Sequence, residues 1–429
     1  MAHNLQKNSF SRLVDRLNKF PQGAPPSKRL FQILQMLFSE QEADLVSSLP
    51  IKPFTAETAS RVWKMSPAKT RTTLDELAGR AVLVDMELHG ELHYVLPPPM
   101  AGFFEFSMMR IRDDVDQKMI SRMFYQYLNV EEAFVRDLFT RGETQLGRTF
   151  VHEPALSREN ALHVLDYERA SHVIHSATHM GISLCYCRHK MQHLGRACGA
   201  PMEICMTFNT AAASLIRHGF ARQVDRYEGM DLLQKAYDNN LVQFGENVRE
   251  HVNFICNCCG CCCEAMQAAQ RFSIFNPVHT TAFLPMVDDT TCNGCGKCVE
   301  ICPVMAMTLV SANNPEKPKQ KKARLNADIC LGCGICIRVC PASSIALTSR
   351  EKRVITPLNG MHRAVVMAIE RGTLQNLIFD NQVLWSHRAM AGLLGVVLNL
   401  PPFKQIMASR QVKSRYLEHL IKRLDYSRL

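Results

Sequence analysis

Cys292-Asn-Gly-Cys295-Gly-Lys-Cys298-Val-Glu-Ile-Cys302-Pro303 and Cys330-Leu-Gly-Cys333-Gly-Ile-Cys336-Ile-Arg-Val-Cys340-Pro341 share one pattern, C-x2-C-x2-C-x3-C-P. Three thiolates on one short loop can wrap three irons of a cubane, and the fourth, on the helix that follows, points to the cluster of the other copy. The spacing therefore assigns one [4Fe-4S] cluster to Cys292, Cys295, Cys298 and Cys340, and a second to Cys330, Cys333, Cys336 and Cys302. Gly294, Gly296, Gly332 and Gly334 let the loops turn tightly and bring backbone N–H groups toward sulfur. Pro303 and Pro341 end the short helices and start exit strands. Flanking strands are expected at Phe283–Val287, Ala306–Val310, Ala323–Asn326 and Ile345–Thr348. Pairs of the form C-x2-C also suit tetrahedral zinc, but a doubled four-cysteine run with both prolines has no economical zinc reading. The insert Ser311–Lys322, rich in lysine, reads as a solvated loop whose charges could also dock an acidic redox partner.

Working outward, ten more cysteines stand N-terminal to the repeat. One group is Cys185-Tyr-Cys187-Arg-His-Lys with Cys198 and Cys205; the other is Ile-Cys256-Asn-Cys258-Cys259-Gly260-Cys261-Cys262-Cys263. So dense a run cannot bury every side chain as an unpaired small hydrophobe. The two groups are expected to meet and bind one or two further Fe–S clusters. Cys185, Cys187, Cys198 and Cys205 form one candidate ligand set, and Cys256, Cys258, Cys259 and Cys262 another. Sharing of ligands between the groups is equally allowed. His172, His175 and His179, at i, i+3 and i+7, would share a helical face, with His189 and His193 beyond. They read either as a surface face or as proton carriers or outer partners of a metal. Arg188 and Lys190 are either surface charges or a positive counterweight to a cluster.

The chain has 429 residues, room for about two to four domains. All 18 cysteines lie between Cys185 and Cys340, so they form local constellations and not a scattered disulfide framework. The N-terminus lacks the basic end and long apolar stretch of a signal peptide. The most apolar run, Ala389–Leu400, is interrupted by Asn399 and too short to span a bilayer. A reducing cytoplasm is expected, where thiolates persist as metal ligands. The formal charge of +10 shrinks once clusters are counted: each cubane with four thiolates contributes about −2, giving about +6 with two clusters and about +2 with four.

The expected architecture is multidomain α+β. Residues 28–110 read as a winged-helix-like domain: an apolar face at Leu30, Ile33, Leu34, Leu37 and Phe38, a short helix over Thr55–Trp63, and a third opened by Ser66-Pro67 and running to about Arg80. A hairpin of Val82–Leu88 and Glu91–Leu96 about His89-Gly90 follows. Residues 113–274 read as a helical cysteine-rich domain, 283–349 as the two-cluster domain, and 357–429 as a helical region broken at Gly372 and Pro401-Pro402. Its basic end carries Lys404, Arg410, Lys413, Arg415, Lys422, Arg423 and Arg428. Such apolar and basic stripes more often form a small packed domain than a membrane-surface helix.

The segment around the repeat resembles the bacterial two-[4Fe-4S] ferredoxin domain. The order of winged-helix-like start, Cys-Tyr-Cys-Arg-His-Lys, Ile-Cys-Asn-Cys-Cys-Gly-Cys-Cys-Cys, paired motifs and helical tail resembles a family of four-iron–four-sulfur ferredoxin-type proteins of anaerobic bacteria. That resemblance implies clusters and one-electron transfer, and no particular reaction. No G-x-G-x-x-G, G-x-x-x-x-G-K-[ST] or H-E-x-x-H fingerprint is present, so a redox partner protein is the expected electron source. Any enzyme activity would be that of an oxidoreductase. A redox-responsive DNA-binding regulator is the alternative, with Lys64, Lys69, Arg71 and Arg80 and the intervening Thr70, Thr72 and Thr73 facing phosphates and bases. Asp75 and Glu76 on the same helix weaken that footprint. A third reading is an interaction subunit with structural clusters.

Overall fold

The computed structural model describes residues 8–271, 280–351, 356–379 and 389–395. They divide into two compact units. One takes in the described residues up to Thr144, the segment Ala213–Ala221 and those from Gly360 onward; the other comprises Gln145–Ala212 and the described part of Arg222–Asn359.

In the first unit, helix Lys28–Leu37 is capped by Ser27 and buries Leu30, Ile33, Leu34 and Leu37. Helix Glu40–Ser47, which the sequence reading did not set out, starts at a Ser39/Glu42 capping box that satisfies two end N–H groups reciprocally. Helices Ala56–Trp63 and Pro67–Gly79 follow, the latter with proline in its first turn. Strands β1 (Phe54–Thr55), β2 (Val84–Leu88) and β3 (Glu91–Val95) form a sheet in the order β1-β3-β2. His89 and Gly90 both take positive φ, 54° and 78°, as a two-residue hairpin turn requires to match strand twist. The buried Asp85 carboxylate accepts from Ser214 Oγ at 2.6 Å and from Arg217 and His218. Burial pushes its pKa up, yet these bonds outweigh burial and hold it well below the usual carboxylate range. Helix Gly360–Arg371 ends before Gly372 and helix Leu374–Ile378 follows, while the buried Arg371 donates to Pro21 O at 2.7 Å and Leu138 O at 3.1 Å. The basic segment Lys404–Arg428 and the break at Pro401-Pro402 lie outside the described residues.

The second unit corrects one expectation. Helix outweighs strand across 113–274, as expected, but 113–144 and 213–221 fall in the first unit, and the cysteine-rich part is built on a six-stranded antiparallel sheet that the expectation lacks. Its strands are β4 (Gly147–Thr149), β5 (Met180–Leu184), β6 (Glu203–Phe208), β7 (Arg222–Gln223), β8 (Val242–Glu246) and β9 (Phe254–Cys258), in the order β4-β8-β9-β6-β5-β7. These strands are short, and β6 and β8 are buried almost throughout. Strands covered on both faces show no polar alternation, so the period-2 signal is lost. Their core joins Phe150, Ile182, Met206, Phe208 and Ile255 to Ile174 and Leu233 from flanking helices.

Strands β10 (Phe283–Val287) and β13 (Ile345–Ser349) pair, as do β11 (Met307–Ser311) and β12 (Lys321–Leu325). These match the four expected strands to within a residue or two. The insert closes the β11–β12 hairpin, with Lys322 paired to Asp289. Val151, Val164 and Ala282 form a shared core with Phe283 and Leu347 of the β10–β13 pair. His152 N donates to Cys333 O at 2.8 Å, and Arg338 donates to Tyr237 O.

Candidate iron–sulfur centres

The repeat folds into two matched thiol sites. Cys292, Cys295, Cys298 and Cys340 line one small open pocket, together with Gly294, Gly296 and Ile345. Cys330, Cys333, Cys336 and Cys302 act electrostatically on one another. The two copies hold sulfur alike: Ala306 N donates to Cys302 Sγ at 3.2 Å and Ser344 N to Cys340 Sγ at 3.4 Å, each four residues on. Gly294 and Gly332 each have φ of 69°, and a Cβ there would lie 2.1 Å from the carbonyl oxygen of Lys321 or Phe283. Close backbone approach thus fixes both loops. Burial pushes Cys330 up to about 11 and Cys333 to about 12, so thiolates are disfavoured there without a positive partner. The core of an iron–sulfur cluster supplies that charge, and four soft thiolates are its donor set. The residues fit the group.

The ten other cysteines converge within the sheet unit, in a grouping that crosses the two sequence runs. Cys198, on the loop before β6, lies with Cys259, Cys261 and Cys262 from the loop after β9, all four sulfurs within 4.8 Å of one another. Cys198 Sγ is 3.6 Å from Cys259 Sγ and 3.9 Å from Cys262 Sγ; Cys261 and Cys262 are 3.7 Å apart. This tetrad takes one cysteine of the first candidate set and two of the second, and adds Cys261, which neither set included. Four soft thiolate donors of this kind suit a tetrahedral S4 metal site or an iron–sulfur centre.

The remaining six form a row. Cys258 Sγ is 3.1 Å from Cys263 Sγ; Cys256 acts electrostatically with Cys205 and Cys258, and Cys187 with Cys263 and Cys185. Local structure explains the convergence. Residues i and i+2 of a strand share a face, which puts Cys256 and Cys258 together on β9. The β6–β9 pairing, Met206 opposite Ile255, brings Cys205 beside Cys256. Cys185 and Cys187 stand at the start of helix Tyr186–His193, and Cys263 immediately precedes helix Glu264–Arg271. Cys263 was in neither candidate set; strand alternation in Cys-Asn-Cys was the signal that could have separated Cys258 from Cys259.

Arg188 and Lys190 are not surface charges. Arg188 is fully buried; its guanidinium donates to Pro201 O at 2.9 Å and Asn257 O at 2.7 Å. Burial alone would lower its pKa, but Cys185, Cys259, Cys258 and Cys198 more than offset this and keep it charged. Those four thiols belong to the row and the tetrad alike, so one cation serves both. Lys190 is buried in an ion pair with Glu264. The histidines take the surface reading, with His172 and His175 together on one short helix. Helix Ala170–Ser176 ends before His179, and His172, His175 and His179 are exposed. His189 and His193 Nε2 atoms are 3.2 Å apart.

The tetrad loop also meets the ferredoxin-type region. Gln270 Nε2 donates to Gly260 O at 3.0 Å and to Pro303 O at 2.7 Å. A Cβ at Gly260 would lie 2.9 Å from Pro303 O. Gly260 sits inside the Cys259–Cys262 run and Pro303 directly follows Cys302, so ligand-bearing segments of the two sites touch.

On helix Pro67–Gly79, Thr70 is buried, and the Thr72 and Thr73 hydroxyls bond back to Ala68 O and Lys69 O. Arg80 pairs with Glu42 at 2.5 Å. Lys64, Lys69 and Arg71 are exposed, as are Asp75 and Glu76. No helix among the described residues is long and apolar enough to cross a membrane.

No curated protein and no solved structure matches the chain. Residues 291–344 match the model of the 4Fe-4S dicluster domain, so the paired cysteine motifs are those of a ferredoxin-type iron–sulfur domain.

Proposed function

We propose that this chain is a one-electron transfer protein in which a ferredoxin-type pair of [4Fe-4S] clusters communicates with at least one further cluster on the sheet. The dicluster match and the cysteine constellations support an iron–sulfur electron-transfer role. The observation that carries the extension is the Gly260–Gln270–Pro303 contact, which abuts the tetrad loop on the segment leaving Cys302. When bound, the clusters supply one-electron exchange without proton or group transfer. The chain's own residues do the rest. Cys292, Cys295, Cys298 and Cys340 hold one centre, Cys330, Cys333, Cys336 and Cys302 the second, and Cys198, Cys259, Cys261 and Cys262 the third. Backbone N–H groups from Ala306, Ala323, Gly332 and Ser344 are aimed at sulfur and favour the charged thiolate. Arg188 offsets negative charge on the sheet side. Electrons are exchanged with a redox partner protein.

The test is iron and acid-labile sulfide analysis with potentiometry followed by electron paramagnetic resonance. The expected result is at least about twelve irons per chain and reversible cycling of every centre. About eight irons, or centres that cannot be cycled reversibly, would overturn the reading. A Cys259→Ser/Cys262→Ser variant should lose about four irons and keep the ferredoxin-type signals.

A further inference from the structure

The row of six cysteines has more ligands than one cubane can use. Each corner iron of a cubane takes one terminal thiolate, so four of the six would satisfy it and two would be left over. Two cubanes would need eight. Yet the six belong together by construction. Cys205, Cys256 and Cys258 come from adjacent strands whose pairing sets Cys205 beside Cys256, Cys185, Cys187 and Cys263 come from two helix starts, and Cys258 Sγ lies 3.1 Å from Cys263 Sγ, where strand and helix start meet.

The surroundings are those of a strongly anionic site. Two eight-residue helices, Tyr186–His193 and Glu264–Arg271, begin at these cysteines, and helix starts favour negative charge. Arg188 is fully buried with its Nε unpartnered, and its two other guanidinium nitrogens donate to the carbonyls of Pro201 and Asn257. Among the described residues it has no carboxylate partner, and such a buried cation needs a fixed anion nearby. Lys190 does not fill this part, because Glu264 neutralises it. The tetrad is adjacent, since Cys258 and Cys263 are each bonded to a tetrad member, Cys259 and Cys262.

We propose that Cys185, Cys187, Cys205, Cys256, Cys258 and Cys263 form one metal site that takes an iron–sulfur cluster of more than four irons, fused from smaller units and ligated by all six thiolates. This deepens the function proposed above and rests on the chain being an iron–sulfur protein. Such a site, beside the tetrad and sharing Arg188 with it, is built to hold more than one electron.

The test is native mass spectrometry and iron analysis of the full chain, isolated anaerobically from the organism that makes it. With two ferredoxin-type cubanes and one on the tetrad, the expected content is above about sixteen irons per chain. A Cys187→Ser/Cys258→Ser variant should lose more than about four of these in one step and keep the other three centres. About sixteen irons, with the variant losing about four, would mean a cubane and two spare thiols and would overturn the proposal. About twelve irons, with two of the six thiols recovered as a disulfide or all as free thiols, would also overturn it while leaving the tetrad and the ferredoxin-type relay intact. About eight irons would instead sink the function proposed above. The native mass of the unaltered chain gives the answer even where the variant does not fold.

Discussion

The ferredoxin-type repeat and the cysteine-rich sheet hold eight and ten of the 18 cysteines, yet they assemble them by opposite means. In the repeat, three thiols of each site come from one loop and the fourth from a helix only tens of residues away. Glycine at positive φ and backbone N–H groups complete the loop. On the sheet, no site is contained in one segment. The tetrad joins Cys198 to a run more than sixty residues downstream, and the row draws on two strands and two helix starts. The first design is set by local chain geometry, the second by packing. Damage should therefore stay local in the repeat and spread on the sheet.

The largest effect should come from Gly332→Val. A Cβ 2.1 Å from Phe283 O, at a φ that disfavours a branched side chain, displaces the loop carrying Cys330 and Cys333. We expect about four irons to be lost while sheet-bound iron stays. Uniform loss across all centres, measured by iron analysis and cluster spectra, would break the contrast between local and packed sites.

Lys190→Met probes the packed side. It removes the cation paired with the buried Glu264 carboxylate, which should lower unfolding free energy by about 3–5 kcal/mol and loosen both helix starts of the row. Lys190→Met/Glu264→Leu, which removes both charges, should recover most of that stability in denaturant titrations. If the double variant is as unstable as the single one, the ion pair itself, and not the charge left on Glu264, holds the helices.

Arg188→Gln sharpens the comparison electrostatically. Removing this buried positive charge should lower the sheet centres' midpoint potentials, by roughly 100 mV for a centre within about 6 Å at an effective dielectric near 20. The two ferredoxin-type centres should not move. Equal shifts in all centres by redox titration would show that Arg188 acts on the whole unit.

The smallest effect concerns the seam. His152 is buried with neither ring nitrogen partnered, and burial, with Arg338 adding to it, pushes its pKa down to about 3. The unfolded ring protonates below its ordinary value near 6.5 while the folded ring stays neutral. Stability is thus fully present above pH 6.5 and lost as pH falls toward 3. At pH 5.5 the loss from this ring is about 1.4 kcal/mol. His152→Phe should flatten the stability curve between pH 7.5 and 5.5; an unchanged slope would place the acid sensitivity elsewhere.

Much of the fold was legible where the signal is local. The Ser66-Pro67 start, the His89-Gly90 turn and the four strands around the repeat follow from capping, turn and spacing rules, and each forms close to its expected place. The sheet was not legible, because strands such as Glu203–Phe208, buried at nearly every position, carry no alternation. His179 falls outside the face of His172 and His175 for a related reason: periodicity says nothing of where a helix stops.

By itself, the sequence determined that this chain carries a ferredoxin-type dicluster domain and a second concentration of thiols, since C-x2-C-x2-C-x3-C-P encodes a site within one loop and its repeat. Only the tertiary structure decided which of the other ten cysteines meet. Cys258 and Cys259 are neighbours in the chain but belong to different sites, because successive residues at a strand end point to opposite sides. It also decided that Arg188 and Lys190 are interior charges, since burial is a property of what packs around a helix and not of the residues on it.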